Sequence, residues 1–131
     1  GLGDVYKRQV ALSIAHDSHN IIVVGVSDEE MEFAVNSLIA QEGGMVLVRE
    51  GKVLESMPMP IAGLMSDQSG EWVDEKLTAI HAKAYEELGI AGDVEPVMTL
   101  CFMSLAVIPE VKLTDMGLFD VTTFSFIPVE A

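Results

Sequence analysis

Five consecutive polar residues, His16-Asp17-Ser18-His19-Asn20, stand between two apolar runs and set the first constraint on the fold. Leu12-Ser13-Ile14-Ala15 leads in and Ile21-Ile22-Val23-Val24-Gly25-Val26 leads out. Apolar, β-branched runs of this length read as buried strands. Burying unpaired polar groups costs a few kcal/mol each, so the chain has to leave the core between these strands and then return. Two imidazoles, a carboxylate, a hydroxyl and an amide at a strand exit are the makings of a site. They are equally the makings of a hydrogen-bonded turn, which local chemistry alone favours.

The segments that follow alternate between helical and strand periodicity. Ser27-Asp28-Glu29-Glu30 predicts a helix start with a capping box, in which Ser27 accepts from the amide three residues on and Glu30 reaches back. Met31, Ala34, Val35, Leu38 and Ile39 recur at helical spacing to give one apolar face, and Gly43-Gly44 ends the helix. Met45–Arg49 and Lys52–Ser56 flank Glu50-Gly51, the pattern of a two-residue β-hairpin, with Pro58 and Pro60 stopping the second strand. Ile61–Ser66 is apolar enough for a connection that packs against something. A longer helix is expected between Ser69 and Gly89, with its stripe at Val73, Leu77, Ile80, Ala84 and Leu88 and with Trp72 and Tyr85 on the edge. His81 falls beside that stripe and reads as a partly solvated structural histidine.

Val97–Val107 is a continuous apolar run that periodicity assigns neither to strand nor to helix, and Pro109 ends it. Val111–Thr114 alternates like a strand, Asp115-Met116-Gly117 reads as a turn, and Val121–Ile127 alternates again. The expected class is α+β: a mainly antiparallel sheet of about five to six strands with two principal helices packed on it.

A length of 131 residues fits one domain by the usual range of roughly 100–200 residues. Half the residues are hydrophobic, with a mean hydropathy of +0.37, so core material is ample. No apolar run reaches the ~18 residues needed to span a bilayer. Acidic residues number 21 against 7 basic ones, a formal charge of −14. Nucleic-acid binding depends on Lys and Arg neutralising phosphates, so that function is excluded, and anionic membranes are disfavoured for the same reason. The single Cys101 lies in the apolar stretch Met98–Met103 and reads as a small core hydrophobe. One unpaired thiol suits a reducing, cytoplasmic setting. Residues 1–9 show neither periodicity nor the apolar stretch of a signal peptide. They resemble a translated cloning or sequencing adapter joined to a truncated reading frame. They are set aside as a non-native leader, with the domain expected over 10–131.

Self-contained chemistry finds little support. His16-x-x-His19 leaves a strand, where residues three apart point to opposite faces. A zinc site needs three or four ligands, and His81 is helical and remote in sequence, so no metal site is expected. Ser18, His16 and Asp17 have the composition of a catalytic triad, but adjacent members cannot reach one another in the required geometry. Gly43-Gly44 follows a helix, whereas a phosphate-binding glycine loop precedes one.

Four segments, taken together, are similar to one family. They are Ile14-Ala15-His16-Asp17-Ser18-His19-Asn20-Ile21, then Met57-Pro58-Met59-Pro60-Ile61-Ala62-Gly63-Leu64-Met65-Ser66-Asp67, then Pro96–Leu100 continuing through Val107–Asp115, and finally Gly117-Leu118-Phe119-Asp120-Val121. In that order they resemble the C-terminal domain of bacterial adenine deaminase, in the amidohydrolase superfamily. The resemblance implies a parent enzyme of purine salvage and adenine catabolism that hydrolyses adenine to hypoxanthine and ammonia. It implies a divalent metal (manganese, iron or zinc) held by an upstream (β/α)8 barrel, where active sites form at the carboxyl end of the strands. No His-x-His motif of that barrel occurs here, so this chain is expected to bind no cofactor and to be inactive alone. The expected partners are the parent's own N-terminal barrel and the purine, with room left for a homo-oligomer. His16, Asp17, Ser18, His19 and Asn20 become candidates for a loop that encloses or orients the purine. The competing account is a buried interdomain hydrogen-bond network. Met98, Thr99 and Ser104 are weaker candidates for the same wall and read better as core. A different class also stands: a non-catalytic structural or oligomerisation module covering a barrel or subunit interface. An inactive relative used for ligand sensing is a further, lesser alternative.

Overall fold

Apolar runs in the first half of the chain build a four-stranded antiparallel sheet, seen in a computed structural model that describes residues 8–130. Its strands are β1 (Arg8–Leu12), β2 (Ile22–Val24), β3 (Gly44–Arg49) and β4 (Lys52–Pro58), in the order β2-β1-β3-β4. The central pair is in register with Val10 opposite Leu47, Ala11 opposite Val46 and Leu12 opposite Met45. Val10, Leu12, Met45, Leu47 and Met57 form one face, packed with Ile80 and Ala84 of the long helix α2 (Gly70–Glu86). Ala11, Val46 and Val48 form the other, packed with Ala34 and Leu38 of α1 (Asp28–Ala40). Burial on both faces explains why these strands read as continuous apolar runs.

Strand pairing reaches back to Arg8, into the stretch set aside as a leader. Arg8 pairs with Arg49 and Gln9 with Val48, Gln9 is buried, and Arg8 Nη1 donates to the Leu88 carbonyl at 3.0 Å. Arg8 and Gln9 are thus part of the sheet; the rest of that stretch lies outside the described residues. At its other end β1 stops at Leu12 rather than running on to Ala15. The Ser13 amide still donates to the Gly44 carbonyl at 3.0 Å, while its hydroxyl accepts from the Gly44 amide at 2.8 Å and donates to the Gly63 carbonyl at 2.6 Å, so a side chain takes one half of the backbone pair.

Ser27 caps α1 as expected, accepting from the Glu30 amide at 3.3 Å. Glu30 does not complete the box. Its carboxylate accepts from the Gly51 amide at 3.0 Å, tying α1 to the β3–β4 turn. That turn has left-handed residues at Glu50 (φ 53°) and Gly51 (φ 69°), the form that matches strand twist in a two-residue hairpin. The apolar face of α1 is narrower than its periodicity implied: Ala34 and Leu38 are buried, whereas Ile39 is exposed. Ser69 caps α2, accepting from the Trp72 amide at 3.2 Å. Lys76 pairs with Glu55 of β4 at 2.9 Å. Ile61–Ser66 packs less than expected: Ile61 and Met65 are exposed and bridge each other, and only the Gly63 backbone is tied to another element, accepting from the Ser13 hydroxyl.

The ambiguous run after Glu95 is helical only for α3 (Pro96–Cys101), with Glu95 as its cap and Pro96 in the first turn. Turns follow before β5 (Val111–Thr114), β6 (Gly117–Asp120) and β7 (Ser125–Ile127), which form a separate antiparallel sheet in that order. The α+β class and antiparallel pairing hold, but the described strands are divided between two sheets and a third, short helix is present. β6 was hidden because Gly117 read as the end of a turn. The expected strand over Val121–Ile127 starts only at Ser125, since Asp120 Oδ1 folds the chain back by accepting from the Thr122 amide (2.9 Å) and hydroxyl (2.6 Å). Among the described residues, no helix is long and apolar enough to cross a membrane.

Candidate functional site

The polar loop begins where Ala15, fully buried, pins the chain to the core. The next backbone amide, of His16, donates to the Cys101 carbonyl at 2.8 Å at the end of α3. The His16 ring lies on the Phe102 ring, with centroids 5.0 Å apart and planes at 26°. The Ser18 amide donates to the His16 carbonyl at 2.8 Å, and the His19 amide to the Ala15 carbonyl at 2.9 Å. The Ser18 and Ser104 hydroxyls are hydrogen-bonded at 3.0 Å. The backbone is therefore the hydrogen-bonded turn that local chemistry favoured.

Two side-chain contacts, His16 on Phe102 and Ser18 with Ser104, tether the turn to the segment around the end of α3. His16, Asp17, Ser18 and His19 are exposed and Asn20 is half-buried. Within the described residues only Ser18 of the five makes a side-chain hydrogen bond. Asp17 (φ 68°) and His19 (φ 54°) both occupy the left-handed region. That region costs non-glycine residues about 1–3 kcal/mol, although Asp and His tolerate it better than most. The loop thus holds two less favoured backbone conformations while leaving two imidazoles and a carboxylate exposed, the His16 ring resting by one face on Phe102.

Ser18, His16 and Asp17 make no hydrogen bonds to one another's side chains, so the triad composition has no triad geometry. No group of three or more His, Cys, Asp or Glu side chains among the described residues is placed to hold a metal ion. Among the described residues the donor set therefore does not fit the divalent metal that the resemblance implies for the upstream barrel. His81 is engaged elsewhere: its Nε2 meets the Glu95 carboxylate and its Nδ1 lies 2.7 Å from the Leu77 carbonyl. The Glu95 hydrogen bond raises the pKa of His81; burial opposes this and the Leu77 carbonyl adds to it. Burial works to raise Glu95, but hydrogen bonds from His81 and the Met98 amide outweigh it and leave its pKa lowered. This is the half-solvated structural histidine that its position beside the stripe suggested.

An open cleft of about 530 Å³ adjoins the loop, lined by Asn20, Ile21, Met103, Ser104, Leu113 and Asp115 among others. Its walls are mainly aliphatic, with Asn20, Ser104, Thr114 and Asp115 as polar groups. Of the weaker candidates, Ser104 is buried and lines this cleft, whereas Met98 and Thr99 lie on the exposed side of α3 rather than in the core. Met103, Leu113 and Asp115 were missed because they reach the loop only through the approach of β5 to the turn after α3, where the Leu113 amide donates to the Met103 carbonyl at 2.9 Å. No local pattern announces a contact of that kind.

Comparison with known proteins places these features in context. The profile of the adenine deaminase C-terminal domain matches residues 4–125. Adenine deaminase 2 of Desulfotalea psychrophila is 75% identical over 97% of this chain and 22% of its own length. The adenine deaminases of Halalkalibacterium halodurans and Bacillus subtilis are 53% and 46% identical, each over 92% of this chain and 20% and 21% of their own lengths. The chain spans about a fifth of the length of these curated relatives. With nearly its whole length matched, the chain belongs to the adenine deaminase C-terminal domain family.

Proposed function

We propose that this chain is the C-terminal part of an enzyme that hydrolyses adenine to hypoxanthine and ammonia in purine salvage, and that its His16–Asn20 loop faces the mouth of an upstream (β/α)8 barrel. The names of the relatives support the first half of this reading. The observation that carries the second is the contrast within the loop. Its backbone is anchored to Ala15 and Cys101, yet the side chains of His16, Asp17 and His19 are exposed and make no hydrogen bond to another described residue. Binding groups are characteristically carried on loops that a rigid scaffold positions.

On this reading the divalent metal, manganese, iron or zinc, belongs to the barrel, and this chain encloses and orients the base. Each imidazole can donate to or accept from a purine ring nitrogen, and the Asp17 carboxylate can accept from the exocyclic amine or a ring N–H. An imidazolium in the loop can hand a proton to the departing ammonia. The parent is a cytoplasmic enzyme, and this chain alone releases no ammonia from adenine.

The test is His16→Ala and Asp17→Ala, made singly in a full-length adenine deaminase carrying this domain. Loss of a positioned proton-transfer group typically costs about 10²-fold or more, and kcat/KM for ammonia release is expected to fall on that scale, with Tm unchanged in Asp17→Ala and lowered by only a few degrees in His16→Ala, which also loses the Phe102 contact. Wild-type kinetics in both variants would remove the pocket role. A second reading, a non-catalytic structural or oligomerisation module, is favoured by the apolar surface of the C-terminal sheet.

A further inference from the structure

From Ala106 to Glu130 no residue is buried, although this stretch contains a complete three-stranded sheet. Cross-strand register sets Leu113, Leu118 and Ile127 in one row and Phe119 beside Phe126 in the next, so both faces of the sheet carry apolar side chains. Phe119 meets Phe124 and Phe126 edge-on, with each pair of centroids 5.2 Å apart. Phe124 is nevertheless 73% exposed, and Leu113 and Phe126 are each 53% exposed. More than half of the large apolar side chains exposed among the described residues lie between Val94 and Val129.

The strands β5, β6 and β7 pack on one another and make no extensive contact with any other helix or strand. The Leu113–Met103 backbone hydrogen bond joins them to the turn after α3. Small antiparallel sheets gain stability by burying an apolar face, and folded monomers rarely leave large contiguous apolar patches in water. This sheet leaves β6 half-buried and no residue on either face fully covered.

We propose that the β5–β7 sheet is an arm that docks, on both faces, against the part of an adenine deaminase polypeptide lying outside this chain. The inference rests on the reading of this chain as part of that enzyme. The relatives supply the occupant: they are about five times as long as the stretch matched here. Charge argues against a second copy. Each chain carries −14, and Glu110, Asp115, Asp120 and Glu130 surround the arm, with Lys112 the one basic residue from Ala106 onward. A two-fold contact would set those carboxylates against themselves, and like charges facing one another across an interface are strongly disfavoured. The matching surface is therefore apolar with a rim of Lys and Arg. Leu113 and Asp115 also line the cleft beside Asn20, so a body seated on the arm is carried over the polar loop.

Hydrogen–deuterium exchange of this chain, compared with a full-length adenine deaminase carrying it, tests the arm. Amides of residues 111–127 should exchange at least about tenfold more slowly in the full-length enzyme, while those of α2 change little. Phe126→Ser should lower Tm of this chain by no more than about 5 °C, the scale of its Phe119 contact, yet should undo the added protection in the full-length enzyme. Equal exchange of the arm in both proteins overturns the proposal. So does a concentration-dependent dimer of this chain, seen by sedimentation and abolished by Phe126→Ser. Protection of the arm together with wild-type kinetics of His16→Ala would uphold the arm and reject the pocket reading. An unprotected arm with a slow His16→Ala enzyme would do the reverse.

Discussion

The imidazole of His16 rests on the ring of Phe102, 5.0 Å between centroids, while the His16 amide is bound to the carbonyl of the residue before it, Cys101. One end of the polar loop is thereby fixed to the end of α3 by both backbone and side chain. Aromatic pairs of this kind contribute about 0.5–1.5 kcal/mol beyond the area they bury. Phe102→Ala should therefore destabilise the chain by about 1–2 kcal/mol and speed exchange of the His16 amide. Phe102→Leu should recover much of the stability but not the slow exchange. Calorimetry and amide exchange check the two halves.

Ser18 and Ser104 form the second tether, and they differ in exposure. Ser104 is 6% exposed, whereas Ser18 faces solvent. Removing Ser18 leaves a buried hydroxyl short of a partner, which typically costs about 1–3 kcal/mol, whereas removing both hydroxyls costs less than the sum. A double-mutant cycle on Ser18→Ala and Ser104→Ala should give a coupling of about 0.5–1.5 kcal/mol. Additive losses would mean that the two hydroxyls do not support one another.

The His81–Glu95 pair makes stability depend on pH with a definite sign. Both His81 ring nitrogens face acceptors, so the protonated ring, with two N–H donors, satisfies both. Its raised folded pKa means that its contribution is complete below the ordinary value of 6.5 and is lost as pH rises through the raised one. Glu95, with a lowered pKa, contributes fully above 4.5 and loses that contribution as pH falls through its folded value. The Tm difference between wild type and His81→Gln should be largest between about pH 4.5 and 6.5 and shrink toward alkaline pH. Thermal melts across that range check it.

Gly44 is required by space as well as by backbone. Its φ is +104°, and a Cβ there would collide with the Met57 carbonyl oxygen across the β3–β4 pair. Neither strand can shift without disturbing the central sheet. Gly44→Ala should cost more than about 3 kcal/mol, read as a drop in the denaturation midpoint or as loss of folded protein.

Local chemistry made the first two-thirds of the fold legible. The Ser27 cap, the Glu50-Gly51 turn and the stripe from Val73 to Leu88 each depend on neighbours within a few residues, and each reads directly from spacing. Glu30 was misjudged for the opposite reason: its partner, Gly51, lies 21 residues away on a hairpin. Alternation announced strands at Val111–Thr114 and Val121–Ile127, but not that they pair with β6 in a sheet of their own, because no local pattern says which strands are neighbours. In the candidate site, the loop His16–Asn20 stood out as polar residues between two apolar runs. The cleft beside it did not, because Met103, Leu113 and Asp115 come together only through tertiary contact.

Labelling of histidines tests most directly whether the loop faces bound purine. A full-length adenine deaminase carrying this domain, treated with diethyl pyrocarbonate with and without hypoxanthine and mapped by mass spectrometry, reports each imidazole separately. His81, held between Glu95 and Leu77 on the α2 side of the sheet, serves as the internal control. The account predicts that hypoxanthine lowers labelling of His16 and His19 severalfold and leaves His81 unchanged. Equal labelling of His16 and His19 with and without the purine would contradict it.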